Sequence, residues 1–351
     1  MKDEVYSRLR SFLDRMPGGF PATGSRVELE ILERCFTPAE AELVMRLEQV
    51  PEPVGAIAER LDLGPEEAAD RLEALARRGN ILRIRFDGEP FYMPIQFLIG
   101  IYEFHLDSLD PELARLLDEY LPHLLSFMGT VQSKQMRVIP VGAALDTSVP
   151  VMSYDVAREL VSGQEVMAVA ECICRKEKML LGRGCDHPLE TCLTFGPAAE
   201  YYLENGMGRR ITLEECLGLL DEAEREAMVL EPTNSKVITH MCICCGDACN
   251  MLRALKSYER PADHALSSFR ASIDPEECTL CGTCAGRCQV NAVVEGADRM
   301  EVDPARCIGC GLCVPTCLSG AARLVSKSDA REPPADFIEM QMKIAAERGL
   351  T

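Results

Sequence analysis

Basic side chains are scarce in this sequence: 37 Lys and Arg stand against 56 Asp and Glu, a formal net charge of −19 over 351 residues. A surface of that sign repels phosphate, which argues against nucleic acid as the principal partner. It suits a redox partner protein that docks through a basic patch. Long apolar runs are missing too. The most apolar window, around Phe97-Leu98-Ile99-Gly100-Ile101, is far too short to span a bilayer. The start, MKDEVYSRLR, shows neither the apolar stretch nor the cleavage pattern of a signal peptide. No GxGxxG follows an expected strand and no GxxxxGK[ST] occurs, so neither a Rossmann-type nucleotide site nor ATP-driven chemistry is indicated. Cysteines in the three-then-two spacing of radical S-adenosylmethionine chemistry are absent. So is any recognisable Ser/His/Asp or paired-carboxylate set.

Cysteine is abundant, with 18 in the chain. Without a secretion or membrane signal, that number points to a reducing cytoplasm and to metal instead of disulfides. Eight of them fall in two identical runs, Cys278-x-x-Cys281-x-x-Cys284-x-x-x-Cys288 and Cys307-x-x-Cys310-x-x-Cys313-x-x-x-Cys317. Three thiolates two residues apart can wrap one face of an iron–sulfur cube. The fourth starts a helical turn that carries its sulfur toward a neighbouring cube. Two [4Fe-4S] clusters with exchanged fourth ligands are therefore expected: Cys278, Cys281, Cys284 and Cys317 on one, Cys307, Cys310, Cys313 and Cys288 on the other.

Residues 270–327 resemble the bacterial-type two-cluster ferredoxins. The proline that usually follows each fourth cysteine is replaced by Gln289 and Leu318. That proline shapes a turn and is not a ligand, so the cluster assignment is little affected.

Upstream, Val5, Leu9, Phe12 and Leu13 share a helical face before the break at Pro17-Gly18-Gly19-Phe20-Pro21. Thr37-Pro38 reads as an N-cap with proline in the first turn. Helices are expected over 54–61 and 66–78, then strands at 81–86 and 90–93 joined by Asp87-Gly88, a hairpin turn pair. Helix, turn, helix and hairpin over residues 40–94 resemble a winged helix. Its second helix, however, carries Glu66, Glu67, Asp70 and Glu73 against Arg71, Arg77 and Arg78. Groove-reading side chains belong on the N-terminal part of that helix, so scaffolding or partner docking is favoured over DNA binding. Residues 95–150 give a helix from Pro111 to Tyr120 and a short β-like run, Met136–Pro140; His105 and His123 read as packing or surface residues.

In the middle block a helix is expected over Tyr154–Val161 and a buried strand over Val166–Ala170. That strand delivers Cys172-x-Cys174-Arg175, with Cys185 and Cys192 following. Alternate residues of a strand face opposite sides, so Cys172 and Cys174 can serve one metal centre only if the chain bends there. A helical hairpin follows, its second helix opened by a Thr212/Glu215 capping pair. A β-like run, Val237–Thr239, then leads to Cys242, Cys244, Cys245 and Cys249. Each group of four could hold a further [4Fe-4S] cluster or zinc, and spacing does not decide whether the groups share ligands. The block resembles a cysteine-rich module that precedes ferredoxin-like domains in iron–sulfur proteins of anaerobes, which implies metal binding. His187 and His240 read as supporting residues rather than ligands, Arg175 as a cation beside a net-negative cluster, and Cys35 and Cys216 as core residues.

The expected architecture is α+β and multidomain: an N-terminal helix (1–25), a winged-helix-like domain (26–100), a connector (101–150), a cysteine-rich α/β iron–sulfur block (151–266), a ferredoxin domain (267–328) and a C-terminal helix (329–351). The expected function is single-electron relay through two ferredoxin clusters and one or two more in the middle block, as an electron carrier or oxidoreductase subunit between a donor and an acceptor protein. Two alternatives stand beside it: a redox- or iron-sensing regulator acting through the winged helix, and a reductase that binds substrate at a middle-block cluster.

Overall fold

Helix α1 (Lys2–Asp14) opens the chain and buries the expected face of Val5, Leu9, Phe12 and Leu13. The computed structural model describes residues 2–145 and 151–350; positions 146–150, at the end of the expected connector, lie outside the described residues. Helices α2 (Val27–Cys35) and α3 (Pro38–Val44) pack on α1. Thr37 and Glu40 cap α3 reciprocally, with Pro38 in the first turn. Next come β1 (Glu52–Pro53), α4 (Val54–Leu61), α5 (Pro65–Arg77), β2 (Ile81–Phe86) and β3 (Glu89–Pro94), the strands forming an antiparallel sheet ordered β1-β3-β2. Asp87 and Gly88 turn the hairpin with φ of 51° and 83°, the left-handed pair such a two-residue turn requires.

After α6 (Tyr102–Phe104), the helix expected to stop at Tyr120 runs on as α7 (Pro111–Thr130), straight through Pro122. An interior proline costs about 3 kcal/mol. The buried face of Leu113, Leu116, Leu117, Tyr120, Leu121, Leu124 and Leu125 outweighs it, at roughly 1.5–3 kcal/mol for each large apolar side chain. Residues 136–140 form only isolated bridges, Met136 to Thr233 and Ile139 to Leu230. The helix expected over Tyr154–Val161 is a 3-10 turn at Ser153–Asp155 followed by α8 (Ala157–Ser162).

The middle block is built on a five-stranded antiparallel sheet ordered β6-β4-β5-β8-β7. In chain order its elements are β4 (Met167–Glu171), α9 (Ile173–Leu180), β5 (Glu190–Phe195), α10 (Pro197–Glu204), β6 (Arg209–Arg210), α11 (Leu213–Arg225), β7 (Val229–Pro232), β8 (His240–Cys244) and α12 (Asn250–Ser257). Thus the two helices of the expected hairpin, α10 and α11, are separated by the short strand β6. The strand expected at Val237–Thr239 begins only at His240, because the Lys236 and Val237 amides donate to Pro334 and Ala335 of the C-terminal tail.

The last segment pairs β9 (Phe269–Ile273) with β12 (Ala322–Ser326), and β10 (Val293–Glu295) with β11 (Met300–Val302), with the short α13 (Thr283–Gly286) between β9 and β10. Helix α14 (Phe337–Glu347) packs back through Met340 and Ile344, and Arg348 donates to the Asp14 and Pro17 carbonyls at 2.8 and 3.1 Å. One apolar core joins the N-terminal helices and hairpin to Ile173, Tyr201 and Tyr202 of the middle block. A second runs from the middle sheet to Cys284, Cys307 and Cys313, so the two cysteine-bearing segments share one interior.

Candidate metal centres

The two cysteine runs line two separate cavities, and the sets are crossed. One cavity, about 300 Å³ of space free of protein atoms, is lined by Cys278, Cys281, Cys284 and Cys317. The other, about 340 Å³, is lined by Cys288, Cys307, Cys310 and Cys313. Backbone amides converge on the sulfurs in a pseudo-twofold pattern. The Met300 amide, just ahead of the second run, donates to Cys278 Sγ (3.4 Å), and the Ala271 amide, ahead of the first, donates to Cys307 Sγ (3.3 Å). The fourth cysteine of each run takes one more, from Ala292 to Cys288 (3.1 Å) and from Ala322 to Cys317 (3.3 Å). Four thiols around a hole, with N–H groups aimed at sulfur, are the donor set a [4Fe-4S] cube takes.

Each loop repeats its backbone as well. Leu280 and Gly309 occupy the same position in the two runs and both are left-handed, as are Gly282 and Gly311. The two cavities differ in setting: Cys281 is exposed, whereas Cys307 and Cys313 are buried. Burial pushes the Cys313 thiol up to about 12, which favours its protonated form in the absence of a metal.

In the middle block the eight cysteines do not stay in their sequence groups. Helix α9 begins directly after Cys172, and this supplies the bend that a shared Cys172/Cys174 centre needs. Cys174 comes within hydrogen-bonding reach of Cys172 and Cys249, Cys249 of Cys244, and Cys244 of Cys242. Cys192 faces Cys242 across the β5–β8 register. Six thiols, Cys172, Cys174, Cys192, Cys242, Cys244 and Cys249, therefore form one continuous group. Cys185 and Cys245 stand apart from that chain as a pair, their sulfurs 3.5 Å from each other.

Residues that carry no motif surround the six thiols. Tyr102 donates to Glu177 (2.7 Å) and to Cys174 Sγ (3.7 Å), and Asn250 Nδ2 donates to both as well (3.1 and 3.7 Å). Glu231 Oε2 accepts from Cys249 Sγ at 3.9 Å, and Glu231, Cys244 and Cys249 bring their ligating atoms within 4.8 Å of one another. Burial pushes Glu231 up to about 7 and Glu103 up to about 8, which favours neutral carboxyls beside the sulfurs. In the sequence, Tyr102 and Glu103 lie in the connector and Glu231 in an unremarked strand. Only their three-dimensional placement reveals them.

Arg175 is buried and donates to the Pro188 and Ile243 carbonyls (2.6 and 3.0 Å) and to Thr191. It ties the loop carrying Cys185 to the strand carrying Cys244. His240 is held by Thr233 and Thr239, and burial drives it down to about 4, as suits a neutral core histidine. His105 is buried with Nδ1 2.7 Å from the Ile101 carbonyl, and exposed His123 meets the Ala22 carbonyl. Cys35 and Cys216 are buried core residues, both pushed up to about 12 by burial.

Gln289, which stands where the ferredoxin-type proline is expected, has a structural role. Its Oε1 accepts from the Gly246 amide at 2.6 Å, joining the residue after Cys288 to the residue after Cys245.

Residues 271–294 and 300–319 match the family model of the 4Fe-4S binding domain. The match supports iron–sulfur cluster binding and an electron-transfer role for this segment, and an electron carrier implies redox partners. No curated protein and no solved structure matches the chain. Among the described residues, no helix is long and apolar enough to cross a membrane.

Proposed function

We propose that the protein relays single electrons through two ferredoxin-type [4Fe-4S] clusters and onward to a further iron–sulfur centre in the middle block. The observation that carries this reading is the division of eight cysteines between two cavities in crossed sets of four. Cys278, Cys281, Cys284 and Cys317 would hold the outer cluster, beside exposed Cys281 and fully exposed Leu318. Cys288, Cys307, Cys310 and Cys313 would hold the inner one, which faces the middle block across the Gln289–Gly246 hydrogen bond. The clusters supply one-electron redox chemistry when bound. The chain's own contribution is to fix the thiolates, exclude water from the inner site and aim N–H dipoles at sulfur, all of which set potentials. Electrons would pass between an external partner at the outer cluster and the six-thiol group.

Residues 26–100 fit a winged-helix-like domain by the order of β1, α4, α5, β2 and β3, and we assign it a scaffolding role. The arginines of its second helix are already committed: Arg71 to Glu67, Arg77 to Glu73 and Arg78 to Glu40. Its hairpin is docked on the middle block, where buried Arg83 and exposed Arg85 both meet Glu204. Tyr201 of α10 donates to the Ala76 and Ile81 carbonyls. Neither arrangement presents a cationic face to phosphate.

The test is anaerobic purification with iron and sulfide analysis, followed by dithionite reduction watched by EPR. About eight irons from the ferredoxin segment and about four more from the middle block are expected, with interacting signals from the crossed pair. A colourless, EPR-silent preparation would overturn the reading. Tight, salt-sensitive binding to duplex DNA would replace the scaffold with a regulator.

A further inference from the structure

Cys185, His187 and Cys245 stand outside the six-thiol group, and their ligating atoms all lie within 4.8 Å of one another. They come from two places in the fold: the loop between α9 and β5, and the turn that leaves β8. The two sulfurs are 3.5 Å apart. A single tetrahedral metal with sulfur at about 2.3 Å holds two thiolates about 3.8 Å apart, close to the spacing of this pair.

His187 supplies an independent sign. Its Nε2 lies 3.2 Å from the Glu226 carbonyl oxygen, which can only accept, so Nε2 carries the proton and Nδ1 presents a lone pair. That Nδ1 is buried and has no hydrogen-bond partner. A metal-bound imidazole characteristically donates its other nitrogen to a backbone carbonyl, which fixes ring and tautomer, and an orphaned buried nitrogen calls for a partner. Both thiols also accept hydrogen bonds, Cys185 from the His187 amide, and Cys245 from the Ala248 amide and from Arg175.

We propose that Cys185, Cys245 and His187 Nδ1 bind one zinc ion, separate from every iron–sulfur cluster of the chain, with the fourth tetrahedral position left to water or an exogenous ligand. Two soft thiolates and one imidazole suit zinc, and three protein ligands leave the site open in the manner of reactive rather than purely structural zinc. The site lies at the surface end of the sheet, with Cys185 and His187 partly exposed, so small molecules can reach it. It goes beyond the electron-relay reading and does not depend on how many irons the six-thiol group holds.

The full-length protein, purified anaerobically and incubated with stoichiometric Zn²⁺, should retain one zinc per chain after dialysis. Zinc-edge X-ray absorption should show two sulfur scatterers and two lighter ones. Cys185→Ser, Cys245→Ser and His187→Ala should each lower zinc affinity at least ten-fold while iron, sulfide and the ferredoxin EPR signals stay at wild-type levels. Those signals also report folding, and His187→Gln provides a milder second variant should one of the others fail to fold. Loss of about four irons in Cys185→Ser or Cys245→Ser would place these cysteines on a cluster and overturn the proposal. So would a zinc shell of four sulfurs, or the absence of retained zinc in the wild type.

Discussion

Alanine at Gly309 should selectively destabilise the inner cluster, and the size of the effect follows from the loop geometry. Gly309 has φ of 75°, a conformation that costs an L-residue roughly 1–2 kcal/mol. A methyl built there would overlap the Phe269 carbonyl oxygen and Ser267 Oγ and sit 2.8 Å from the Phe269 carbonyl carbon. Because Phe269 is β9 backbone paired with Ser326, the strand must shift, adding about 1–3 kcal/mol. A stiffer unfolded chain returns only about 0.5–1 kcal/mol. The net penalty is about 3 kcal/mol. If cluster loss proceeds through local opening, that converts to roughly a hundred-fold faster release at about 1.4 kcal/mol per factor of ten. The assay is decay of the iron–sulfur absorbance under anaerobic chelator and mild urea, with EPR resolving the two clusters. Leu280 is the internal control, since it takes the same position in the other run with φ of 56° and is 38% exposed. In Leu280→Gly, relief of about 1–2 kcal/mol of strain is offset by glycine's greater unfolded-state entropy and lost side-chain burial. Its release rate should therefore stay within about three-fold of wild type. A Gly309→Ala rate equally close to wild type would refute the argument, as would equal loss of both clusters.

Crossed ligation makes Cys317→Ser disturb the EPR signal of the cluster held by the first run, and Cys288→Ser that of the second; the opposite assignment would show uncrossed loops. Asp118 is bound by Lys178 and Arg183, both at 2.6 Å. Burial would raise its carboxyl, yet the two cations hold it down to about 2. A depressed carboxylate stabilises the fold above its unfolded value and loses that contribution as pH falls toward its folded one. Asp118→Asn should thus cost about 1 kcal/mol at pH 7 after allowance for solvent screening, and the difference from wild type should shrink below about pH 4, read by amide exchange in α7 and α9. Gln289→Ala removes the acceptor for the Gly246 amide and should slow electron equilibration between the inner cluster and the middle block without changing iron content; an unchanged rate would show that electrons do not leave by that contact.

Local signals in the sequence were legible where local physics decides. The Thr37 N-cap with Pro38 in the first turn and the Thr212/Glu215 capping pair form as expected, and Asp87-Gly88 turns the hairpin, because each depends on residues within four positions. The continuation of α7 through Pro122 and the delayed start of β8 depend on distant partners, a long apolar face in one case and tail carbonyls in the other. The grouping of the eight cysteines of the two runs follows from their spacing, because the four thiols that line each cavity come from two short loops of like build.

In the middle block, spacing could not carry the same information. An antiparallel sheet ordered β6-β4-β5-β8-β7 brings β5 beside β8, so Cys192 meets Cys242 although 50 positions separate them in the numbering. Cys185 meets Cys245 by the same topology. Cys244 ends β8 and Cys245 opens the turn that leaves it, and the two have different neighbours: Cys244 the buried six-thiol group, Cys245 Arg175 and Cys185. The Cys244-Cys245 pair, which looks like one motif in the sequence, thus divides between two groups of thiols. The departure at Gln289 fits the same logic. A proline there would serve the turn alone, whereas glutamine accepts from the Gly246 amide and fastens the loop after Cys288 to the turn after Cys245. Glutamine at this position thus links the two cysteine-bearing segments, a connection that the proposed relay would use.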